Sequence, residues 1–317
     1  MTAGSARFAE ELGAAIAGEV KTAAALAKYS TYRIGGPATV ALPASPEDVA
    51  AALRYAARAG RAVFPLGLGS NVLLPDEGLE PLVIRLGKGT DAVRIDEGRW
   101  RLGAGMPAPL AARKTAEQGW QGLHMMVGVP GTVGGGVFMN AGCHGGEWSD
   151  VVERVTVADL EGNDRVVEAA EIPFSYRRSG LENVIILEVA VLLRPGVPAA
   201  LEDEVRRLFA WRQSGTPFNQ PCCGSVFKNP RPPAPAGWTR PWTAGSLLEA
   251  AGLKGRRVGG VEVSPMHANY FVNTGAATAA NVRALIEAAR EVVQRRFGVV
   301  LETEVKVVGS RGEYLHV

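Results

Sequence analysis

Two glycine-rich clusters restrict the fold of this chain more than any other feature of its sequence. They occupy residues 64–71 (FPLGLGSN) and 128–142 (GVPGTVGGGVFMNAG), and 39 of the 317 residues are glycine, well above an average usage of roughly 7%. Because glycine has no Cβ, successive backbone N–H groups in such turns can converge on a phosphate group. The alternative interpretation is a pair of tight structural turns, and the clusters alone leave both open.

The dinucleotide-binding glycine fingerprint is excluded. Residues 103–108 read GAGMPA, a GxGxxA string between a predicted strand and a predicted helix. Pro107 and Pro109, however, remove amide donors from the turn that would hold a pyrophosphate, and no second strand ends in an acidic residue about 20 positions later. We therefore predict a plain strand-to-helix turn.

Charge and cysteine content exclude several classes of protein. The formal net charge is +2, without a block of like charges, so nothing indicates nucleic-acid binding. The three cysteines, Cys143, Cys222 and Cys223, form neither a disulfide framework nor a paired CxxC zinc site. The histidines His124 and His316 have no partners at metal-ligand spacing, so no metal is predicted.

The distribution of apolar residues predicts both a hydrophobic core and the cellular location of the protein. A hydrophobic fraction of 47% suffices for a sizeable core, yet no apolar run approaches the roughly 18 residues of a membrane span. Four charged residues interrupt the first twenty positions and exclude the apolar region of a secretory signal. We therefore expect a cytoplasmic protein that does not insert into membranes.

Local patterns predict a mixture of helices and strands. Ser45-Pro46-Glu47-Asp48 opens a helix with a cap, a proline and two acids, and Gly60 closes it. Further predicted elements are a strand over 61–66, a hairpin of strands 93–96 and 100–102 around a Glu97-Gly98 turn, a helix over 107–118, strands over 151–158 and 184–193, and a helix over 201–213.

The last third of the chain differs in composition. Prolines crowd residues 230–242, which we predict to be an exposed loop. Gly252 ends a short helix over 247–251, and Thr278 and Gly298 bound a longer one with apolar residues at helical spacing. Alternating apolar and charged residues predict a strand over 299–308.

Two further stretches carry candidate chemistry. In PCCGSVFKNP, residues 221–230, the Ser225 hydroxyl lies near the Lys228 cation and the Asn229 amide. A hydrolase nucleophile would need a GxSxG motif or a histidine base, and neither is evident, so the alternative is a turn serine. In FSYRRS, residues 174–179, adjacent arginines can bind a carboxylate or phosphate, or can form a solvated basic turn.

Six motifs in a fixed order together resemble one family. They are STYRIGG at 30–36, GLGSN at 67–71, PGTVGG with NAG at 130–142, SYR at 175–177, CGSVFKNP at 223–230 and LETEVKVVG at 301–309. This combination resembles the UDP-N-acetylenolpyruvoylglucosamine reductase family, whose members complete UDP-N-acetylmuramate in peptidoglycan synthesis.

The resemblance implies an α+β fold with a two-part FAD-binding domain of the vanillyl-alcohol-oxidase type. The expected division is 1–90 and 91–200 for the two FAD-binding subdomains and 201–317 for an α+β substrate-binding domain. NADPH would reduce a non-covalently bound FAD, which would pass hydride to UDP-N-acetylglucosamine enolpyruvate. The residues that match the family's cofactor contacts are Tyr32, Arg33, Gly67, Gly69, Ser70, Asn71, Pro130, Gly131, Thr132, Gly134, Gly135, Asn140 and Gly142.

The resemblance also implies catalytic roles. Arg177 and Glu304 would stabilise an enol-like intermediate, and Ser225 would donate a proton. The alternating pattern alone favours Glu304 as an outward-facing residue of a strand. The resemblance favours the catalytic role instead. The positions that match nucleotide-sugar contacts are Arg212, Lys228 and Asn229.

The chain departs from the family pattern at several points. The segment after Arg177 lacks the insertion that brings a tyrosine over the substrate in one subgroup, so the shorter subgroup is the better match. Gly136 replaces a usual alanine, Cys143-His144 a common Ala-Tyr, and His124 a common acid. The alternatives are a flavin oxidase of the same fold acting on an alcohol and a non-catalytic nucleotide-sugar-binding protein.

Overall fold

A computed structural model describes residues 3–96, 99–231 and 233–317. Glu97 and Gly98 of the predicted turn and Pro232 of the proline-rich loop lie outside this description. The α-helices are α1 (Ala3–Ala15), α2 (Pro46–Arg58), α3 (Ala108–Glu117), α4 (Val133–Phe138), α5 (Pro198–Gly215), α6 (Ala244–Ala250) and α7 (Ala279–Phe297). These helices accompany sheets whose strands are mostly antiparallel, which confirms the α+β class.

The strands are short, and many have only two or three residues. They are β1 (Glu19–Ala25), β2 (Pro37–Leu42), β3 (Val63–Leu66), β4 (Val72–Leu73), β5 (Leu82–Arg85), β6 (Val93–Asp96), β7 (Arg99–Gly103), β8 (Trp120–Gln121), β9 (Gly142–Cys143), β10 (Gly146–Glu147), β11 (Val152–Ala158), β12 (Asp164–Glu168), β13 (Ile185–Leu192), β14 (Arg194–Pro195), β15 (Arg257–Val258), β16 (Val261–Val263), β17 (Phe271–Asn273), β18 (Lys306–Val308) and β19 (Tyr314–Leu315).

The chain forms two compact units, each built from separated segments. The larger unit comprises Met1–Ala24, Ala38–Leu68 and Glu80–Arg212, and the smaller unit comprises Ala25–Pro37, Gly69–Leu79 and Gln213–Val317. The three-part division predicted from sequence, with boundaries after residues 90 and 200, stays a prediction.

The larger unit contains a four-stranded sheet and a five-stranded sheet. In the first, of order β1-β2-β5-β3, strands β2, β5 and β3 are parallel, as expected where a helix such as α2 connects them. The second, of order β12-β11-β13-β7-β6, is antiparallel throughout. Buried apolar side chains of both sheets and of α2 and α3 form one core.

The smaller unit has a separate core. Its two three-stranded sheets have the orders β15-β16-β17 and β19-β18-β4, and β4 and β18 are parallel. Helices α6 and α7 pack apolar residues into this core. The Asp76 carboxylate accepts the N–H groups of Ala279 (2.8 Å) and Ala280 (3.2 Å) at the start of α7, where a negative charge stabilises a helix.

The strongest local signals are confirmed. The Ser45 hydroxyl caps α2 by accepting the Asp48 N–H. Thr278 forms a capping box with Asn281 at the start of α7, and Gly298 ends that helix with φ of 70°. The predicted strand-to-helix turn connects β7 to α3. The second glycine-rich cluster contains the helix α4, which was not predicted from the sequence.

The predicted strand over 299–308 is wrong for most of its length, because only Lys306–Val308 forms a regular strand. The physical reason lies in where its backbone groups bond. The N–H groups of Glu304 and Val305 both donate to one carbonyl oxygen, that of Val226. The segment makes a single antiparallel bridge here, Phe227 with Thr303, in place of a ladder, although Leu301, Val305 and Val307 are buried in alternation.

The proline-rich stretch is largely exposed and contains no helix or strand among its described residues. Two of its side chains are exceptions. Trp238 and Trp242 are partly buried and meet edge to face, with ring centroids 5.3 Å apart, and Trp238 also contacts Phe297 of α7. These contacts hold the loop on the smaller unit.

No helix among the described residues is both long enough and apolar enough to cross a membrane.

Candidate active site

The larger unit brings one residue of the first glycine cluster against the second cluster. A Cβ on Gly67 would lie 2.6 Å from Thr132 Oγ1, and a Cβ on Gly134 would lie 2.8 Å from the Ala104 Cβ. Distances this short leave no room for a side chain, so close packing alone explains both glycines. Close packing thus accounts for the missing side chain at both positions, and their role in cofactor binding stays a prediction.

The backbone amides of the second cluster divide into used and available groups. At the start of α4, the N–H groups of Val133, Gly134 and Gly135 donate to Met106 O, Ala104 O and Thr132 Oγ1. Within residues 3–96, 99–231 and 233–317, no acceptor receives the N–H groups of the buried Gly131 and Thr132. Amide donors for an anion are thus concentrated just before the helix.

In the smaller unit, the end of the first cluster likewise has backbone N–H groups without a protein acceptor among the described residues. Gly69 is buried, has φ of 63°, and packs so closely on Tyr29 that a Cβ would lie 2.3 Å from its carbonyl oxygen. Its N–H and that of Asn71 have no acceptor among the described parts of the chain. Unengaged amides beside glycine suit a pyrophosphate group, so the donors present in each unit fit FAD.

Asn140 organises the predicted site of the larger unit. Its side chain is fully buried and its φ is 40°. Its Nδ2 donates to Glu147 Oε1 (2.9 Å) and to the Ser175 carbonyl (3.2 Å), while its Oδ1 accepts the Ser149 N–H (3.0 Å). Because these bonds use both amide hydrogens, Asn140 holds the SYR motif rather than offering donors to a ligand.

The candidate catalytic arginine lies in the turn that Asn140 holds. Ser175 and Arg178 exchange two backbone hydrogen bonds, which places Tyr176 and Arg177 at the tip, and Arg177 has φ of 60°. Its Nη2 donates to the Gly142 carbonyl (3.2 Å), and its guanidinium lies over the Tyr176 ring at 4.7 Å. The structure therefore joins the SYR and NAG motifs into one arrangement.

Gly136, which replaces a usual alanine, has a structural explanation. A Cβ at this position would lie 2.3 Å from Nε1 of Trp148. Trp148 is fully buried, and its Nε1 has no hydrogen-bond partner among the described residues. The indole thus occupies the space of the missing side chain against α4.

The replacement of Ala-Tyr by Cys143-His144 forms a tight hairpin between β9 and β10. His144 has φ of 53° and Gly145 has φ of 85°, the combination of a type I′ turn. The His144 ring meets Trp211 edge to face at 5.0 Å. Burial lowers the pKa of His144, and the positive charges of Arg212 and Arg207 lower it further, while Glu204 acts in the opposite direction.

In the smaller unit, the predicted cofactor residues Tyr32 and Arg33 differ sharply in exposure. Arg33 is exposed and has φ of 55°. Tyr32 is fully buried in the core, and its hydroxyl has no hydrogen-bond partner among the described residues. Burial raises the pKa of Tyr32 well above its ordinary value, with smaller effects of Cys223 and Cys222. The Tyr32 phenol is therefore a core group.

Ser225 and Glu304 are brought together by the backbone. The Val226 carbonyl accepts the N–H of Glu304 (2.8 Å), and the Lys228 N–H donates to Glu302 O (2.9 Å). Asn71 of the first glycine cluster donates from Nδ2 to the Glu304 carbonyl (3.2 Å). Burial raises the pKa of the adjacent Cys223 thiol well above its ordinary value, and Cys222 and Glu304 add to the shift.

The remaining candidate substrate residues already have protein partners. Lys228 Nζ lies 3.4 Å from Glu302 Oε2 in an ion pair. Asn229 Oδ1 accepts the Ala244 N–H (3.1 Å) at the start of α6. Asn229 therefore joins the two ends of the proline-rich loop.

Thr31 is a residue that the sequence argument passed over. Its N–H donates to the Gly69 carbonyl, and its Oγ1 lies 2.7 Å from the Cys222 carbonyl and 3.3 Å from that of Gly69. One side chain thus connects the STYRIGG motif with the GLGSN motif and with Cys222, which directly precedes the CGSVFKNP motif. The available signal was its position inside the TYRIGG motif, but its partners are distant in sequence.

Two family models match separate parts of the chain. Residues 216–308 match the C-terminal domain of UDP-N-acetylenolpyruvoylglucosamine reductase, and residues 37–168 match an FAD binding domain. These matches confirm the prediction of an FAD-binding domain followed by a different C-terminal domain.

Whole-chain relatives carry the same name. The UDP-N-acetylenolpyruvoylglucosamine reductase of Halalkalibacterium halodurans is 37% identical over 96% of this chain and 99% of its own length. That of Rubrobacter xylanophilus is 43% identical over 90% and 94%. The crystal structure of the reductase from Thermus caldophilus has a TM-score of 0.76 at 32% identity, covering 92% of this chain and 99% of that one.

A Gly136→Ala substitution tests the packing of α4 on Trp148. Because the added methyl group would overlap the indole, we expect a loss of about 1–3 kcal/mol in the free energy of unfolding. Thermal unfolding with and without added FAD measures it. The control is Gly13→Ala in α1, where nothing lies within 4 Å of the added Cβ. A wild-type melting temperature in Gly136→Ala would contradict the packing argument. So would a double variant in which adding Trp148→Phe does not reduce the loss of stability caused by Gly136→Ala.

A Tyr32→Phe substitution tests whether the buried hydroxyl contributes to the site. Since it removes a buried polar group without a partner, we expect the free energy of unfolding to stay equal or to rise by up to about 1 kcal/mol, with unchanged FAD content. Chemical denaturation measures the free energy of unfolding, and flavin absorbance measures the FAD content. Tyr55→Phe, which removes a hydroxyl that donates to Glu11, is the control. Loss of flavin from the Tyr32→Phe variant would contradict this expectation and indicate that the Tyr32 hydroxyl contributes to FAD binding.

Proposed function

This chain belongs to the UDP-N-acetylenolpyruvoylglucosamine reductase family, and from that premise we propose how its own residues carry out the reaction. The reaction is the NADPH- and FAD-dependent reduction of UDP-N-acetylglucosamine enolpyruvate to UDP-N-acetylmuramate, a step of peptidoglycan precursor synthesis. Its partners are small molecules. The observation that carries the assignment of residues is the pairing of the Ser225 and Glu304 segments through the Val226 carbonyl.

The unengaged amides on the two glycine clusters support FAD binding. Gly131 and Thr132 would hold it in the larger unit, and Gly69 and Asn71 in the smaller unit. The other residues that match the family's cofactor contacts would line the same FAD site; they are Arg33, Gly67, Ser70, Pro130, Gly134, Gly135, Asn140, Gly142 and, through its backbone, Tyr32. When bound, FAD supplies the hydride that it takes from NADPH.

Ser225 is the proposed proton donor. Addition of hydride to the terminal carbon of the enol-ether double bond leaves an electron pair on the carbon that bears the carboxylate. A serine hydroxyl is a weak acid in water, but a proton can pass from a positioned hydroxyl to a strongly basic carbon. The backbone contacts that follow Ser225 hold its residue in one place, which such a transfer requires.

Arg177 and Glu304 would stabilise the charge that develops on the substrate carboxylate. The Arg177 guanidinium is fixed by the Gly142 carbonyl and the Tyr176 ring, so it needs little reorganisation when the charge appears. Glu304, as a carboxylic acid, would share a proton with the enol-like carboxyl group. Its backbone is held on both sides, by Val226 and by Asn71.

The nucleotide-sugar would be bound by Arg212, Lys228 and Asn229. The Lys228 ion pair with Glu302 leaves the Glu302 side chain 60% exposed, and such pairs contribute little stability. A substrate diphosphate can therefore replace Glu302 as the partner of the ammonium group at small cost. We also propose a cytoplasmic location, where NADPH is available, and retain the division at residues 90 and 200 as a proposal.

The proposed function is tested by reducing the flavin with NADPH in the absence of oxygen and following its reoxidation by the substrate. NADPH should bleach the flavin absorbance of the purified protein, and UDP-N-acetylglucosamine enolpyruvate should restore it in one turnover. UDP-N-acetylglucosamine, which lacks the enol ether, is the control and should leave the flavin reduced. A protein without flavin absorbance would favour a non-catalytic binding protein, and oxygen consumption with an alcohol in the absence of NADPH would favour a flavin oxidase.

Ser225→Ala tests the proton donor. We expect NADPH to bleach the flavin at the wild-type rate and the substrate to reoxidise it about 10²–10⁴ times more slowly, since general acid catalysis contributes that range. Stopped-flow absorbance separates the two half-reactions. Ser310→Ala, in the turn between β18 and β19, should leave both rates unchanged. Normal reoxidation in Ser225→Ala would remove this serine from the mechanism.

A further inference from the structure

We propose that Asn269 is a positioning residue for Ser225 and thereby sets the rate of proton delivery to the substrate. The inference rests on the proposed function, because it concerns the proton donor assigned there. Asn269 lies in the segment between β16 and β17, some 44 positions from Ser225 in the chain, and no motif discussed above includes it.

The Asn269 side chain binds both backbone groups of one residue. It is buried, with 3% of its surface exposed. Its Oδ1 accepts the Phe227 N–H (2.9 Å) and its Nδ2 donates to the Phe227 carbonyl (2.8 Å). The Asn269 carbonyl accepts the Val226 N–H (2.9 Å) as well. A side-chain amide here replaces the peptide group of a neighbouring strand.

The opposite edge of the same segment is bound by residues 302–305. Phe227 and Thr303 form an antiparallel bridge, and the Val226 carbonyl accepts the N–H groups of Glu304 and Val305. Both edges of the dipeptide that follows Ser225 are therefore held, one by Asn269 and one by the segment that carries Glu304.

On the other side of Ser225 the chain is held at Cys222, by Thr31 and by an antiparallel bridge to Val272, but Gly224 lies between that contact and the serine. Gly224 has φ of 76°, and the nearest atom to a Cβ built on it is 3.7 Å away. A glycine without packing constraints transmits little orientation along the backbone. The position of the Ser225 hydroxyl is thus set mainly from Val226 and Phe227, and so by Asn269. Misplacement of a reacting group by about 1 Å can cost roughly 100-fold in rate.

The test is Asn269→Asp, measured on the holoenzyme. The isosteric aspartate can still accept the Phe227 N–H, but when ionised it presents an oxygen to the Phe227 carbonyl in place of a donor. We expect flavin reduction by NADPH within about twofold of wild type and reoxidation by substrate about 10- to 100-fold slower. The solvent deuterium isotope effect on reoxidation should rise, because proton delivery becomes slower than hydride transfer.

The pH dependence gives a second readout that a general loss of stability would not produce. Protonation of the aspartate restores an O–H donor toward the Phe227 carbonyl. The reoxidation rate of Asn269→Asp, divided by the wild-type rate at each pH, should therefore rise as the pH falls. The control is Asn281→Asp, which alters a side-chain amide that caps α7 in the same unit and should change stability without changing either half-reaction.

The outcomes separate this inference from the proposed function. Normal reoxidation in Asn269→Asp, with slow reoxidation in Ser225→Ala, would overturn the role of Asn269 alone. Normal reoxidation in Ser225→Ala would overturn the proposed proton donor and this inference with it. If Asn269→Asp does not yield holoenzyme, Asn269→Ser, whose shorter side chain cannot reach both Phe227 groups, is measured for the two half-reaction rates and the solvent isotope effect.

Discussion

The backbone pairing of Val226 and Phe227 is the constraint on which the candidate site of the smaller unit depends. Both residues are almost completely buried, and buried peptide groups must find hydrogen-bond partners. No long strand supplies them here. The partners come from Asn269 on one edge and from Glu304 and Val305 on the other. Satisfying these groups places the serine and carboxylate segments side by side, so the same bonds serve folding and the arrangement of the site.

In the larger unit, side-chain hydrogen bonds and strained turns, rather than backbone pairing, fix the candidate site residues. Asn140, His144 and Arg177 all have left-handed backbones, a conformation that costs residues other than glycine of the order of 1 kcal/mol or more. Asn140 offsets this cost through three hydrogen bonds, one of which holds the turn of Arg177. Arg177 adds a bond to the Gly142 carbonyl. The result is an arginine fixed before any substrate arrives, as electrostatic catalysis requires.

The glycine-rich clusters combine two roles that their sequence could not separate. Gly67, Gly134 and Gly136 are small because Thr132, Ala104 and Trp148 occupy the adjacent space. The groups suited to an anion are different ones, the amides of Gly131 and Thr132 in one unit and of Gly69 and Asn71 in the other. Close packing of the glycines shapes the turns, and the turns leave particular amides without protein partners.

The sequence by itself determined the local elements whose signals lie within a few residues: the capped helices beginning after Ser45 and Thr278, the hairpin of β6 and β7, and the family membership carried by six short motifs. It failed at residues 299–305 and did not reveal Asn269 or Thr31. Only the tertiary structure decided these, because a hydrogen-bond partner distant in the chain leaves no periodic pattern. Whether Glu304 lies in a regular strand, and whether Tyr32 faces a ligand or the core, depends on such long-range packing.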